Sequence, residues 1–193
     1  MVRTARRIAT ALTAVMILLG AGAVAANAAA AAQDATWAKA FLGEQATSSA
    51  QLQKQIDTQL RIAPGGTQTA ANEVTYDNGK FVVTFALPGR AKAFAVEDCP
   101  NGWFCFYDHT GYGYPRGKLS DCYWQDLGAY GWSDRTESSS NGASDDVWYI
   151  NHDDGGNPAN GHGGDEWLWY DMPAFAKGNV PNPNQADHVY LDC

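Results

Sequence analysis

Basic residues are scarce in this chain. Lys and Arg number 13 among 193 residues, against 21 Asp and Glu, for a formal net charge of −8. Nucleic acid and anionic membranes are bound through basic faces, so neither is expected as a partner. Charge of either sign is sparse at 18% while aromatic residues reach 12%, which excludes a disordered acidic tail. The sequence has no Cys-x-x-Cys pair of the kind that builds zinc sites. It has no Gly-x-Ser-x-Gly nucleophile elbow either, and its Cys-bearing region, from about residue 98 on, has few stretches of helical periodicity. The length suits one ordinary domain plus extensions.

What is present begins with an export signal. Arg3, Arg6 and Arg7 form a positive start, residues 8–24 an apolar run, and Ala26-Asn27-Ala28 a small-residue cleavage site. Residues 1–28 are therefore expected to be a signal peptide, and the protein secreted and extracellular. Removal leaves ten basic against twenty-one acidic residues, a balance of −11. An oxidising compartment makes Cys99, Cys105, Cys122 and Cys193 a pair of disulfides. Of three pairings, the one expected joins Cys99 to Cys105 as a local staple and Cys122 to Cys193 as a long closure that pins the C-terminus.

The mature chain divides by composition. Residues 29–90 read as a helix and hairpin segment with a linker. Ser48 and Gln51 resemble a capping box, Leu52, Ile56 and Leu60 follow at helical spacing, and Ala63-Pro64-Gly65-Gly66 stops the helix. A shorter helix over 36–43 places Trp37 and Phe41 on one face. Residues 74–83 carry a hairpin signal, with Asn78-Gly79 suited to the positive φ of a type I′ turn. Nothing in this segment suggests chemistry.

Residues 91–193 hold all four Cys and most of the aromatics and acids. Short aromatic runs at 103–107, 147–150, 167–170 and 188–191 alternate with Gly, Asn, Asp and Ser turns, a pattern of an all-β sandwich or Greek key. Phe106-Tyr107-Asp108-His109 aligns with Tyr149-Ile150-Asn151-His152 at an offset of forty-three, so two similar units are expected.

The run Cys99-Pro100-Asn101-Gly102-Trp103-Phe104-Cys105-Phe106-Tyr107-Asp108-His109, followed by Gly111-Tyr112-Gly113, resembles the opening of secreted actinobacterial peptidase inhibitors. That family includes streptomycete-type metalloproteinase inhibitors, and its domain is similar to a βγ-crystallin Greek key. Gly131-Trp132-Ser133-Asp134-Arg135-Thr136 is similar to the segment that closes the first key. The resemblance spans about residues 98–193. It implies a mainly β, βγ-crystallin-like double Greek-key domain stapled by disulfides and preceded by the helix and hairpin segment. It further implies Tyr107 and Tyr112 stacked in a folded hairpin, and a Gly seven residues after Tyr107, where this chain has Tyr114. The function it implies is peptidase inhibition, not catalysis: a monomer presenting a rigid loop to an extracellular protease, with no cofactor required. The loop candidates are residues 136–146 and 151–166.

Crystallin-like keys also bind calcium, and within residues 133–138 Asp134 and Ser138 fit that pattern, making calcium the one candidate cofactor. The stretch 151–166 is dense in oxygen ligands, with Asp153, Asp154, His162 and Asp165 as binding-loop candidates. His152, His162 and Asp165 have the chemistry of a transition-metal set, although a solvated loop is the ordinary outcome for such a run. Carboxylate pairs for glycosidase chemistry need a defined separation across a cleft, which adjacency in sequence does not supply. Trp124, Trp132, Trp148, Trp167 and Trp169 exceed the needs of a small core, so sugar stacking is a further expectation. Alternation along a strand would instead send Trp167 and Trp169 into the core together.

Overall fold

The computed structural model describes residues 36–89, 97–152, 164–173 and 176–193. Among the described residues, two α-helices lead into eleven antiparallel strands arranged as a seven-stranded and a four-stranded sheet. Residues 35–193 form one compact unit, and no helix among the described residues is long and apolar enough to cross a membrane. The proposed signal peptide lies outside the described residues.

Helix α1 covers residues 36–43, with Ala38 and Leu42 buried one turn apart while Trp37 and Phe41 stack at 5.1 Å on its more open side. Helix α2 (Ser49–Ile62) is capped by Ser48, whose hydroxyl accepts from the Gln51 amide at 3.2 Å. The Gln51 side chain reaches back to the amide of Thr47 at 2.9 Å, one residue earlier than a capping box requires. Leu52 and Ile56 bury the inner face of α2, and buried Gln59 donates to the Tyr130 carbonyl at 2.7 Å.

Strands β1 (Thr67–Ala70), β2 (Glu73–Tyr76) and β3 (Phe81–Thr84) follow. The β2–β3 hairpin pairs Tyr76 with Phe81, so its loop holds four residues and not two. Positive φ extends over Asp77 (47°), Asn78 (55°) and Gly79 (98°). Asp77 occupies this unusual backbone while its carboxylate accepts the Tyr130 hydroxyl at 2.5 Å. Strand β3 pairs with β5, so the N-terminal segment extends the sheet of the Cys-bearing region.

The next eight strands form two units. The first comprises β4 (Phe104–His109), β5 (Gly113–Leu119), β6 (Tyr123–Asp126) and β7 (Ser138–Asn141). The second comprises β8 (Val147–Asn151), β9 (Glu166–Asp171), β10 (Ala176–Asn179) and β11 (His188–Leu191). The sheets run β1-β2-β3-β5-β4-β7-β10 and β6-β11-β8-β9. Each unit thus keeps its first, second and fourth strands together and lends its third strand to the other sheet.

Phe104, Phe106, Val147, Tyr149, Val189 and Leu191 face inward and meet Phe81, Trp132 and Ile56 in one core. Gly117 opposes Phe106 in the β4–β5 ladder. A Cβ at Gly117 would lie 2.2 Å from Cε2 of that ring, which explains the missing side chain. Arg135 is almost fully buried and forms a two-pronged ion pair with Asp108 (3.0 and 3.1 Å), its guanidinium 4.3 Å from the Trp132 ring centre. Disulfides join Cys99 to Cys105 and Cys122 to Cys193, the pairing expected from the sequence. The second ties the start of β6 to the residue that ends the chain beyond β11.

Candidate functional site

Outward faces of the two sheets differ. In β4 the outward positions are Cys105 and Tyr107, opposite Ser140 and Ser138 of β7. Residues 97–103 cover them: Cys99 is bonded to Cys105, Glu97 accepts the Ser140 hydroxyl at 2.7 Å, and Asp98 accepts the Tyr107 hydroxyl at 2.9 Å. Asp98 also accepts the Tyr114 hydroxyl and pairs with Arg116 at 2.9 Å. Burial, reinforced by the Asp98 carboxylate, pushes the Tyr107 and Tyr114 phenols far above their ordinary range.

On the four-stranded sheet the equivalent face carries aromatic rings. Trp148 opposes Tyr190 and Tyr170, and Trp124 opposes Tyr190 from the other side. Trp148 meets Trp167 at 5.1 Å and Tyr170 at 4.8 Å, while Trp124 meets Trp167 at 6.1 Å and Tyr190 at 5.8 Å. Trp167 remains 54% exposed, Tyr170 43% and Tyr123 58%. Such rings lose water-excluded area to solvent unless something covers them.

A bulge creates this arrangement. Tyr149 pairs with Trp169 and Ile150 with Trp167, so Leu168 is the extra residue and the alternation shifts. Trp169 turns inward to stack on Tyr149 at 4.5 Å, and Trp167 turns outward. The expectation that both enter the core together is corrected here: strict alternation fails where one strand carries an inserted residue. Trp132 and Trp169 are core residues, whereas Trp124, Trp148 and Trp167 belong to the outward face.

At one end of this face stand His152, Asp165 and His188. His152 follows β8, Asp165 precedes β9, and His188 opens β11 opposite Ile150. His152 Nδ1 lies 3.2 Å from Asp165 Oδ1 and 3.4 Å from His188 Nε2, and the latter lies 3.9 Å from Asp165 Oδ2. The Asp165 side chain is 2% exposed, His188 12% and His152 40%. Backbone bonds from Asp187 to Ile150 (2.9 Å) and from His152 to the Asp187 carboxylate (3.2 Å) hold the strand ends in place. Trp124 meets the His188 ring edge-on at 6.0 Å, which joins the cluster to the aromatic face.

The other sequence candidates fall elsewhere. Asp153, Asp154 and His162 lie outside the described residues; of the binding-loop set, only Asp165 is placed. Asp134 is half exposed and pairs with Lys39 at 3.4 Å. Ser138 is buried, its hydroxyl donating to the His109 carbonyl at 2.6 Å and accepting the Tyr112 amide at 3.0 Å. Each of these two thus has its own protein contacts: Asp134 with Lys39, and Ser138 with the β4–β5 hairpin. Positive φ in the β4–β5 hairpin sits at Gly111 (63°) and Tyr112 (62°), not at Tyr114. Tyr107 and Tyr112 touch edge to face at 5.3 Å. Residues 136–146 are not a free loop, because 138–141 form β7, a buried strand between β4 and β10.

The sequence groups His152 and Asp165 with His162 in one polar stretch, but gives no local hint of His188, which opens the strand-like run 188–191. The usable signal was its position: His188 begins the last strand of the second unit as Ser138 begins the last strand of the first. Compared with known proteins, the chain matches no family model, no curated protein and no solved structure.

Proposed function

We propose that this chain is a secreted, non-enzymatic binding module built as a βγ-crystallin-like double Greek key, and that its ligand is a polysaccharide. The exchange of third strands between the two four-strand units supports the architectural reading. The outward aromatic face of β6-β11-β8-β9 carries the functional one. Indole and phenol faces stack on the C–H surface of sugar rings. Exposed Asp126, which shares the outward side of β6 with Trp124, suits hydroxyl groups better than a second apolar surface. Covering Trp167, Trp148 and Trp124 would also remove apolar area that water now reaches.

The test is tryptophan fluorescence and affinity electrophoresis of the purified chain against neutral and amino-sugar polysaccharides. Saturable quenching by one class, lost in Trp148→Ala/Trp167→Ala, supports the reading. Indifference to the whole panel contradicts it.

A second reading is peptidase inhibition, implied by the resemblance of residues 99–113 to the inhibitor family. One observation favours it. Residues 100–103 form a turn, exposed at Asn101 and Gly102 and braced by the Cys99–Cys105 disulfide and by Gly102 and Gly142 amide bonds of 2.7 and 2.8 Å. Such bracing lowers the ordering cost of entering a protease cleft. Stoichiometric inhibition of a metallo- or serine protease would support it; cleavage or indifference across both classes would remove it.

A further inference from the structure

We propose that His152, Asp165 and His188 bind one divalent transition ion of the zinc class. Two imidazole nitrogens and a carboxylate are a donor set for zinc, cobalt, nickel or copper, whereas calcium takes oxygen ligands. Metal–ligand bonds of about 2.0–2.1 Å place tetrahedral ligands roughly 3.4 Å apart. The two imidazole nitrogens stand 3.4 Å apart, with Asp165 Oδ1 3.2 Å from His152 and Asp165 Oδ2 3.9 Å from His188, and one donor atom from each residue falls within 4.8 Å of the others. The ligands therefore need only small side-chain adjustments to close on an ion.

Comparison of the two units gives the site a structural meaning. In the first unit, Ser138 ties its strand to the β4–β5 hairpin through the His109 carbonyl and Tyr112 amide. In the second unit the matching position is His188, and the matching residue to His109 is His152. An imidazole does not repeat the hydroxyl's exchange, since it is larger and its nitrogens lie further from the backbone. An ion held by His188, His152 and Asp165 ties β11 to both ends of the β8–β9 connection instead. The three protein ligands leave a fourth position on the more exposed, His152 side for water or a ligand oxygen. This inference stands apart from the polysaccharide reading and survives its failure.

The experiment uses the purified full chain, stripped with chelator and then titrated with Zn2+ and Co2+. One equivalent of either ion should bind, Co2+ should develop visible absorption bands of low-symmetry coordination, and Zn2+ should displace it. At about 100 times Kd the melting temperature should rise by roughly 5–10 °C. His188→Ser, which places the first unit's residue in the second, should lose the cobalt spectrum and the thermal shift. His152→Ala, at a half-exposed position, should do the same and decides the matter if the first variant does not fold. Asp134→Asn should bind as the parent does. No uptake of Zn2+ or Co2+, equal uptake in both His variants, or a response to Ca2+ with none to Zn2+ would each overturn the proposal.

Discussion

Residues 104–141 and 147–191 build two four-strand units with the same strand order and different outward faces. On the first, Cys105 and Tyr107 are hidden beneath residues 97–103 and the Cys99–Cys105 disulfide. On the second, Trp148 stands where the first has Cys105, and its ring joins Trp124, Trp167 and Tyr170 with part of that surface open to water. Their interiors differ as well. Asp108 of the first unit pairs with Arg135, while the matching residue of the second is the neutral Asn151. Duplicated architecture thus carries a covered, charge-locked half and an open, aromatic half. Binding is expected on the half whose aromatic rings are open to water.

The contrast is broken most severely at the buried ion pair. Asp108→Asn gives the first unit the second unit's residue and strands the Arg135 charge, which should cost about 3–5 kcal/mol in chemical denaturation. Adding Arg135→Gln should recover much of that loss, because both partners are then neutral. Full additivity of the two costs would show that the pair is not coupled.

Disulfide removal is next. Cutting Cys122–Cys193, which spans 71 residues, should cost about 4 kcal/mol by loop-closure entropy. Cutting Cys99–Cys105, which spans 6, should cost about 2 kcal/mol. The reverse order in thermal or urea unfolding would place the covering segment's role in packing and not in chain closure.

Ser138→Ala should destabilise by about 1 kcal/mol, since the part-buried Tyr112 amide and His109 carbonyl both lose the hydroxyl that bridges them. In the metal-free protein, His188→Ser should cost less, its side chain being nearer to solvent.

A smaller effect appears at high pH. Tyr76, Tyr107, Tyr112, Tyr114, Tyr130 and Tyr149 all have phenols raised above the ordinary value of 10.0, chiefly by burial. Their folded forms hold protons that the unfolded chain releases near pH 10. Stability from these groups is therefore complete below pH 10 and falls as pH rises beyond it. Ultraviolet titration with parallel circular dichroism should show these phenols ionising only as the fold is lost. Full ionisation at pH 10 with the fold intact would contradict their burial.

Much of this design was legible in the sequence where the cause is local. The Ser48 cap, the apolar spacing of α2 and the place of the β2–β3 turn depend on neighbours within a few residues, whereas the turn's length, four residues and not the two of a type I′ hairpin, did not follow from Asn78-Gly79. The forty-three-residue offset foresaw β4 and β8, because the repeat conserves strand spacing along the chain. Strand β1 was not legible: Thr67-Gln68-Thr69-Ala70 is exposed throughout and lacks an apolar alternation. The inserted Leu168 hid the direction of Trp167, since bulges follow from the partner strand. His188 escaped because its neighbours in space come from β8 and the start of β9, 36 and 23 positions away in sequence.

The central claim is that the open aromatic face is the binding surface. It is tested most directly by measuring polysaccharide affinity of the parent chain beside Trp148→Ala/Trp167→Ala, with folding checked by circular dichroism. Loss of binding with the fold retained is the expected result, since Trp167 is largely exposed and outside the core. Binding unchanged in that double variant, or absent from the parent across all polysaccharide classes, would contradict the account.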